Sequence, residues 1–116
     1  MGRPVKGRPR LKLWVVFGGD VKFGEGRAEL LEAMEQLGSF KQAVEGMGMS
    51  YRAAWGYFRE LERAAGLKLL ERRPGRTPGG GTRLTREGRL FVRRYRRFHQ
   101  GVDALVAQHF ERSFRD

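Results

Sequence analysis

The sequence has no cysteine, which excludes disulfides, a thiolate nucleophile and cysteine-ligated metal. Histidine is nearly absent too. His99 and His109 lie ten residues apart, so on one helix they point about 80° away from each other, outside any metal-ligand spacing. No serine stands in a nucleophile-elbow context and no carboxylate pair stands out. Glu29, Glu32 and Glu35 read as a solvated acidic surface on a helix. The expectation is therefore no enzymatic activity, no metal and no cofactor. No apolar run approaches the roughly 20 residues that a membrane helix requires. The opening MGRPVKGRPR lacks the apolar stretch of a secretion signal, so a cytoplasmic protein is expected, with no membrane partner. Negative charge is scarce: 13 Asp and Glu stand against 24 Lys and Arg, a net charge of +11. That imbalance implies a polyanionic partner, nucleic acid before an anionic membrane.

What remains is enough for one domain, since 116 residues with 40% hydrophobic side chains can close a modest core. Residues 1–10 carry Arg3, Lys6, Arg8 and Arg10 without an acid and are expected to be a flexible basic arm. Within it Lys6-Gly-Arg-Pro9 resembles the core of an AT-hook, although non-specific electrostatic contact is the expectation. Leu11–Phe17 is rich in β-branched and aromatic residues, breaks at Gly18-Gly-Asp20 and resumes at Val21–Phe23, a small hairpin. From Glu25 the apolar period becomes helical through Leu30, Leu31, Met34 and Leu37, and Gly38 stops it. Ser39-Phe-Lys-Gln42 is a capping-box pattern that starts a short helix ending near Met47. Gly48-Met49 turns the chain, and Ser50 caps a third helix ending near Gly66. Two short helices joined by a glycine turn outline a helix-turn-helix. Leu69–Arg73 and Thr82–Leu84 then flank a glycine-rich loop as a second hairpin, and Thr85 caps a last helix from Arg86 that reaches towards Phe114. The fold class expected is mainly α with small β-hairpins: a winged helix-turn-helix over 11–85 and a long C-terminal dimerisation helix over 86–116.

On the third helix, stepping 100° per residue from Ser50 gathers Ala54, Tyr57, Phe58, Leu61 and Ala65 on one side. Arg52, Arg59 and Arg63 fall opposite, with Gly56 beside them and Trp55 at the flank. Three arginines on an outer face suit a major groove, where Arg pairs bidentately with guanine and also neutralises phosphate. Ser50 and Tyr51 sit at the helix start, where hydroxyls and free N–H groups hold phosphate. In the loop, Gly75 and Gly80 match a nucleotide-binding spacing, but Gly81 occupies the lysine position, which removes that reading. With Arg72, Arg73, Arg76 and Arg83 around it, the loop reads instead as a wing that follows backbone or enters a narrow minor groove.

Along the last helix Phe91, Tyr95, Phe98, Val102, Leu105 and His109 recur at heptad-like steps, while Arg86, Arg89, Arg93 and Arg97 lie opposite. Residues 86–114 would span about 43 Å as helix, against a diameter of about 35 Å for a compact domain of this length. The helix should overhang its own domain and bury its seam against a second copy. Two readings stand beside a sequence-specific regulator: an architectural or RNA-binding basic protein, and an adaptor whose long helix recruits a separate sensor protein.

The run Gly38-Ser-Phe-x-x-Ala43 through Leu70-Glu-Arg-Arg73 and Leu84-Thr-x-x-Gly88 resembles the LysR-type regulators. Phe23-Gly-x-Gly-Arg-x-x-Leu-Leu31, Gly48-Met-Ser-Tyr-Arg52, Ala54-Trp55 and Gly79-Gly-Gly81 before Leu84-Thr85 resemble the DNA-binding domain of ModE-type molybdate-responsive regulators. The resemblance implies a dimeric bacterial transcription regulator tied to molybdate uptake or molybdoenzyme genes. It places the third helix and wing on double-stranded DNA, with the terminal helices joining the homodimer. Such regulators continue into effector domains; the sequence ends at Asp116 with neither type, so two outcomes are expected as alternatives: response through a separate effector-sensing protein, or action without an effector.

Overall fold

The computed structural model describes residues 2–3, 5–72 and 81–115. Strands β1 (Trp14–Phe17) and β2 (Val21–Gly24) pair antiparallel, with Trp14 opposite Gly24 and Phe17 opposite Val21. Composition places the start of the first strand at Leu11, but the ladder starts three residues later. Beyond Gly24 the partner strand has already turned into helix α1 (Glu25–Leu37), so nothing lies opposite Leu13 to pair with it. Alternation along β1 turns Val15 and Phe17 inward and leaves Trp14 and Val16 exposed.

Helix α2 (Phe40–Gly46) begins where Ser39 Oγ accepts from the Gln42 N–H at 3.1 Å. Helix α3 (Tyr51–Ala65) begins where Ser50 Oγ accepts from the Ala53 N–H at 3.3 Å. Both caps satisfy amides that a helix start leaves without a partner. Between the two helices Gly48 takes φ +67°, a left-handed conformation that only glycine adopts without steric cost. The Met49 N–H closes that turn on Val44 O. Strands β3 (Leu70–Arg72) and β4 (Thr82–Leu84) form the second hairpin, with Glu71 opposite Arg83.

The core lies among α1, α2 and α3, under the first hairpin and the first turns of helix α4 (Arg86–Phe110). Phe23, Phe40 and Phe58 are fully buried there, and Phe23 meets the Tyr95 ring edge-on at 5.2 Å. On α3, Ala54, Phe58 and Leu61 are buried as the wheel requires, with Tyr57 and Ala65 half-buried beside them. Leu37, on the apolar arc of α1, is exposed. The acidic side chains of α1 are not simply solvated. Arg96 of α4 reaches Glu25 and Glu32, each at 2.6 Å, and Arg89 lies 3.9 Å from Glu35. The two Arg96 bridges reach back to α1 across 64 and 71 positions, a pairing that no local pattern shows. The Arg96 hydrogen bond holds the Glu25 carboxyl below its usual pKa, and the bonds to Glu32 and Glu25 raise that of Arg96.

Helix α4 runs 25 residues and ends in a π-helical turn, Glu111–Arg115. It carries the chain well beyond the core: the molecule measures 65 × 28 × 23 Å. Its radius of gyration is 17.8 Å, where a compact chain of this length would have about 13 Å. The basic N-terminal segment lies along the far half of this helix. Tyr95 donates its hydroxyl to Leu13 O at 2.8 Å, Arg115 donates to Gly7 O at 2.7 Å, and the Val5 N–H reaches Phe114 O at 3.1 Å. The lengths agree, since Val5 to Leu13 spans about 26 Å when extended and Tyr95 to Phe114 about 28 Å as helix.

Candidate nucleic-acid interface

The outer face of α3 is cationic because its inner face is committed to the core. Arg52 and Arg63 are exposed and have no ion pair among the described residues. Gly56 lies beside them, and a Cβ built there would meet nothing within 4 Å, so this stretch of helix is bare to solvent. Arg59 differs: its guanidinium pairs with Glu62 at 3.0 Å. The other oxygen of Glu62 accepts from the N–H groups of Leu69 and Leu70 at 2.8 and 3.0 Å. Glu62 thus joins α3 to the first residues of the wing, and sequence reasoning missed it because its main partners are backbone amides.

Tyr51, Trp55 and Arg59 succeed one another at four-residue steps along one ridge of α3. The Tyr51 and Trp55 rings lie parallel within 4° at a centroid distance of 6.4 Å, and Phe40 of α2 presents itself edge-on to both. The Arg59 guanidinium sits 4.4 Å from the Trp55 ring centroid and that of Arg72, from β3, sits at 5.2 Å. Behind this face Tyr57 donates to Lys22 O, and the Arg27 guanidinium lies 4.9 Å from its ring. Burial pushes the Tyr57 phenol up to about 12, so it stays a neutral donor.

The wing residues fall into three groups. Arg72 rests on Trp55, Arg83 is bound to Glu71 at 2.6 Å, and Arg73 and Arg76 lie outside the described residues with the loop tip. Of the expected wing cations, then, Arg83 has its charge matched within its own hairpin. The sequence shows both charges, but only the strand register shows that they face each other.

The seam of α4 also divides. Phe91 and Tyr95 pack inside their own chain, where Phe91 meets Phe23 at 4.8 Å and Tyr95 is 5% exposed. Further along, Phe98 and Leu105 are exposed at 48% and 56%, His109 is exposed and Val102 half-buried. Phe98 borders a depression of about 490 Å³ whose walls include Val15, Phe17, Leu67 and Phe91. Among the described residues there is no group of three or more His, Asp or Glu able to hold a metal, and no helix is long and apolar enough to cross a membrane.

A family model described as bacterial regulatory helix-turn-helix protein, lysR family, matches residues 27–89. The chain is 41% identical over 70 residues to the molybdenum transport protein ModE of Azotobacter vinelandii, a match covering 60% of this chain and 26% of that protein. It is 32% identical over 92 residues to the molybdenum-pterin-binding protein MopB of Rhodobacter capsulatus, covering 79% and 34%. The DNA-binding transcriptional dual regulator ModE of Escherichia coli K12 matches at 35% over 69 residues, covering 60% and 26%. The chain therefore spans between a quarter and about a third of the length of these relatives. Among solved structures, Vibrio fischeri DarR in complex with DNA superposes with a TM-score of 0.53 at 24% identity, over 77% of this chain and 29% of that one, a likeness of fold.

Proposed function

The chain belongs to the lysR family of bacterial regulatory helix-turn-helix proteins, and from that premise we propose that it binds duplex DNA as a dimer and regulates transcription without catalysing a reaction. The observation that carries the reading is the bare cationic face of α3, where Arg52 and Arg63 flank a glycine with open space above it. In this reading Arg52, Arg59 and Arg63 enter the major groove, Ser50 and Tyr51 meet phosphate at the helix start, and the wing with Arg72 follows the adjacent backbone. Likeness to ModE supports target sites at genes for molybdate uptake or molybdoenzymes, and a cytoplasmic place of action. Selection of bound sites from random duplexes at two salt concentrations tests it. A recurring two-fold-symmetric site supports the reading, whereas equal affinity for all duplexes, or preference for structured RNA, favours the architectural alternative.

Gly56→Ala separates binding from stability. The added methyl meets no protein atom, so the helix should gain about 0.5–1 kcal/mol from the lower backbone entropy of the unfolded chain. The same methyl projects where the duplex must approach, and affinity for the selected site should fall roughly tenfold, about 1.4 kcal/mol. Thermal denaturation and duplex titration read the two effects. Affinity that rises together with the melting temperature would remove α3 from the interface.

The dimer is proposed from the overhang of α4 and from its exposed Phe98 and Leu105. Replacing both with Glu places two charges in the seam without touching the core, so sedimentation equilibrium should show a dimer for the parent and a monomer for the variant. Unchanged helical circular dichroism in that variant would show the fold intact. A parent that sediments as a monomer at every concentration defeats the dimer.

A further inference from the structure

Two cations assigned above to DNA contact, Arg59 and Arg72, come from different elements, yet both guanidiniums lie against one indole. Each is within 5.2 Å of the Trp55 centroid, so their centres are at most about 10 Å apart, a span on the scale of neighbouring phosphates on one strand. The indole itself cannot swing freely. Tyr51 lies parallel to it one turn earlier, Phe40 abuts it from α2, and the ring is half-buried. Arg59 is further fixed by Glu62, whereas Arg72 has no ion pair among the described residues and rests on the ring. A guanidinium above an indole keeps its N–H edge available, because the ring attracts the flat face and leaves the donors pointing outwards.

We propose that Trp55 is a positioning residue that holds one guanidinium from α3 and one from the wing as a preformed pair for two backbone phosphates. The proposal rests on the DNA-binding reading and deepens it: Trp55 reads no base, and removing its ring frees Arg72 and leaves Arg59 to Glu62 alone, with both charges still in the sequence. Arginine side chains have high rotamer entropy, and an arginine no longer held by the ring would contact phosphate only part of the time.

The test is the dependence of duplex affinity on salt, measured on the full chain and its variants. Each phosphate neutralised contributes about 0.9 to the slope of log K against log salt. Trp55→Leu should flatten the slope by between one and two contacts, that of Arg72 in full and that of Arg59 in part because Glu62 still holds it. Arg72→Ala should flatten it by one, and Trp55→Phe, which keeps a ring, by little. In the Arg59→Ala, Arg72→Ala double variant, adding Trp55→Leu should flatten the slope no further. Side-chain resonances of Arg72 in the free protein give a second reading, since loss of the indole ring current should shift them without any DNA present. Weaker binding of Trp55→Leu with an unchanged slope overturns the proposal and leaves the DNA reading standing. An unchanged slope in Arg72→Ala does the same, and covers the case in which Trp55→Leu fails to fold. A parent chain with no salt-dependent duplex binding overturns both.

Discussion

Glu62→Ala should lower the stability of the domain more than removal of any exposed ion pair. The side chain is only 10% exposed, and its carboxylate accepts from two amides of fully buried residues, Leu69 and Leu70, while also pairing with Arg59. Truncation leaves both N–H groups without a partner where water has little access. At 1–3 kcal/mol for each unsatisfied buried donor, the expected loss is about 3 kcal/mol, or roughly 10–20 °C in melting temperature for a domain of this size. The Arg59 bridge adds little by itself, since Arg59 is substantially exposed and water screens the pair. Glu62→Gln retains a carbonyl oxygen for the amides and should recover about half of the loss. Two-state thermal and urea unfolding of the three chains decides the matter. An Ala variant within about 0.5 kcal/mol of the parent would show that these amides find other partners.

A second large effect is expected where α4 begins. A Cβ on Gly88 would lie 2.5 Å from Leu69 O and 3.1 Å from a methyl of Leu84. Thr85 ties the same place down, with its N–H on Leu69 O at 2.9 Å and its hydroxyl bonded to Lys68 O and Gly88 N. Alanine would ordinarily favour a helix over glycine by about 1 kcal/mol. Here the clash is with backbone, which cannot rotate away, and overpacking of this kind costs about 1–3 kcal/mol and sometimes more. The clash should prevail, leaving Gly88→Ala about 2 kcal/mol less stable than the parent. Gly101→Ala, in the same helix, is the matched comparison: its Cβ meets nothing within 4 Å, so the identical chemical change should stabilise by about 0.5–1 kcal/mol. Opposite signs in the two melting temperatures are the expected result. Stabilisation by both would mean that α4 does not pack against Leu69 as described.

Much of this architecture is legible from local chemistry. Ser39, Ser50 and Thr85 announce helix starts because a hydroxyl serving an amide three residues ahead is a short-range event, and all three do so in the structure. The arginine face of α3 is equally plain, since helical period alone sorts Arg52, Arg59 and Arg63 from Ala54, Phe58 and Leu61. What escapes is the fate of each charge once the chain folds. Glu71 quenching Arg83 depends on strand register, and Arg96 bridging Glu25 and Glu32 depends on where α4 crosses α1. Glu62 is the deepest omission, because a carboxylate that serves main-chain amides leaves no trace in side-chain patterning. Leu11–Leu13 show the converse error: their composition suits a strand, but strand formation requires a neighbour, and the neighbour has become helix.

The basic segment lying along α4 acts as a ruler. Val5 answers to Phe114 and Leu13 to Tyr95, so residues laid out straight are counted off against residues wound up, at a little under half as many. Adding two turns to the helix would advance its tip by about 11 Å and demand about three more residues from the leading segment to keep step. An insertion or deletion near one terminus should therefore slip these contacts out of step unless the other terminus changes in that ratio, so the docked segment records the length of the overhang in its own residue count.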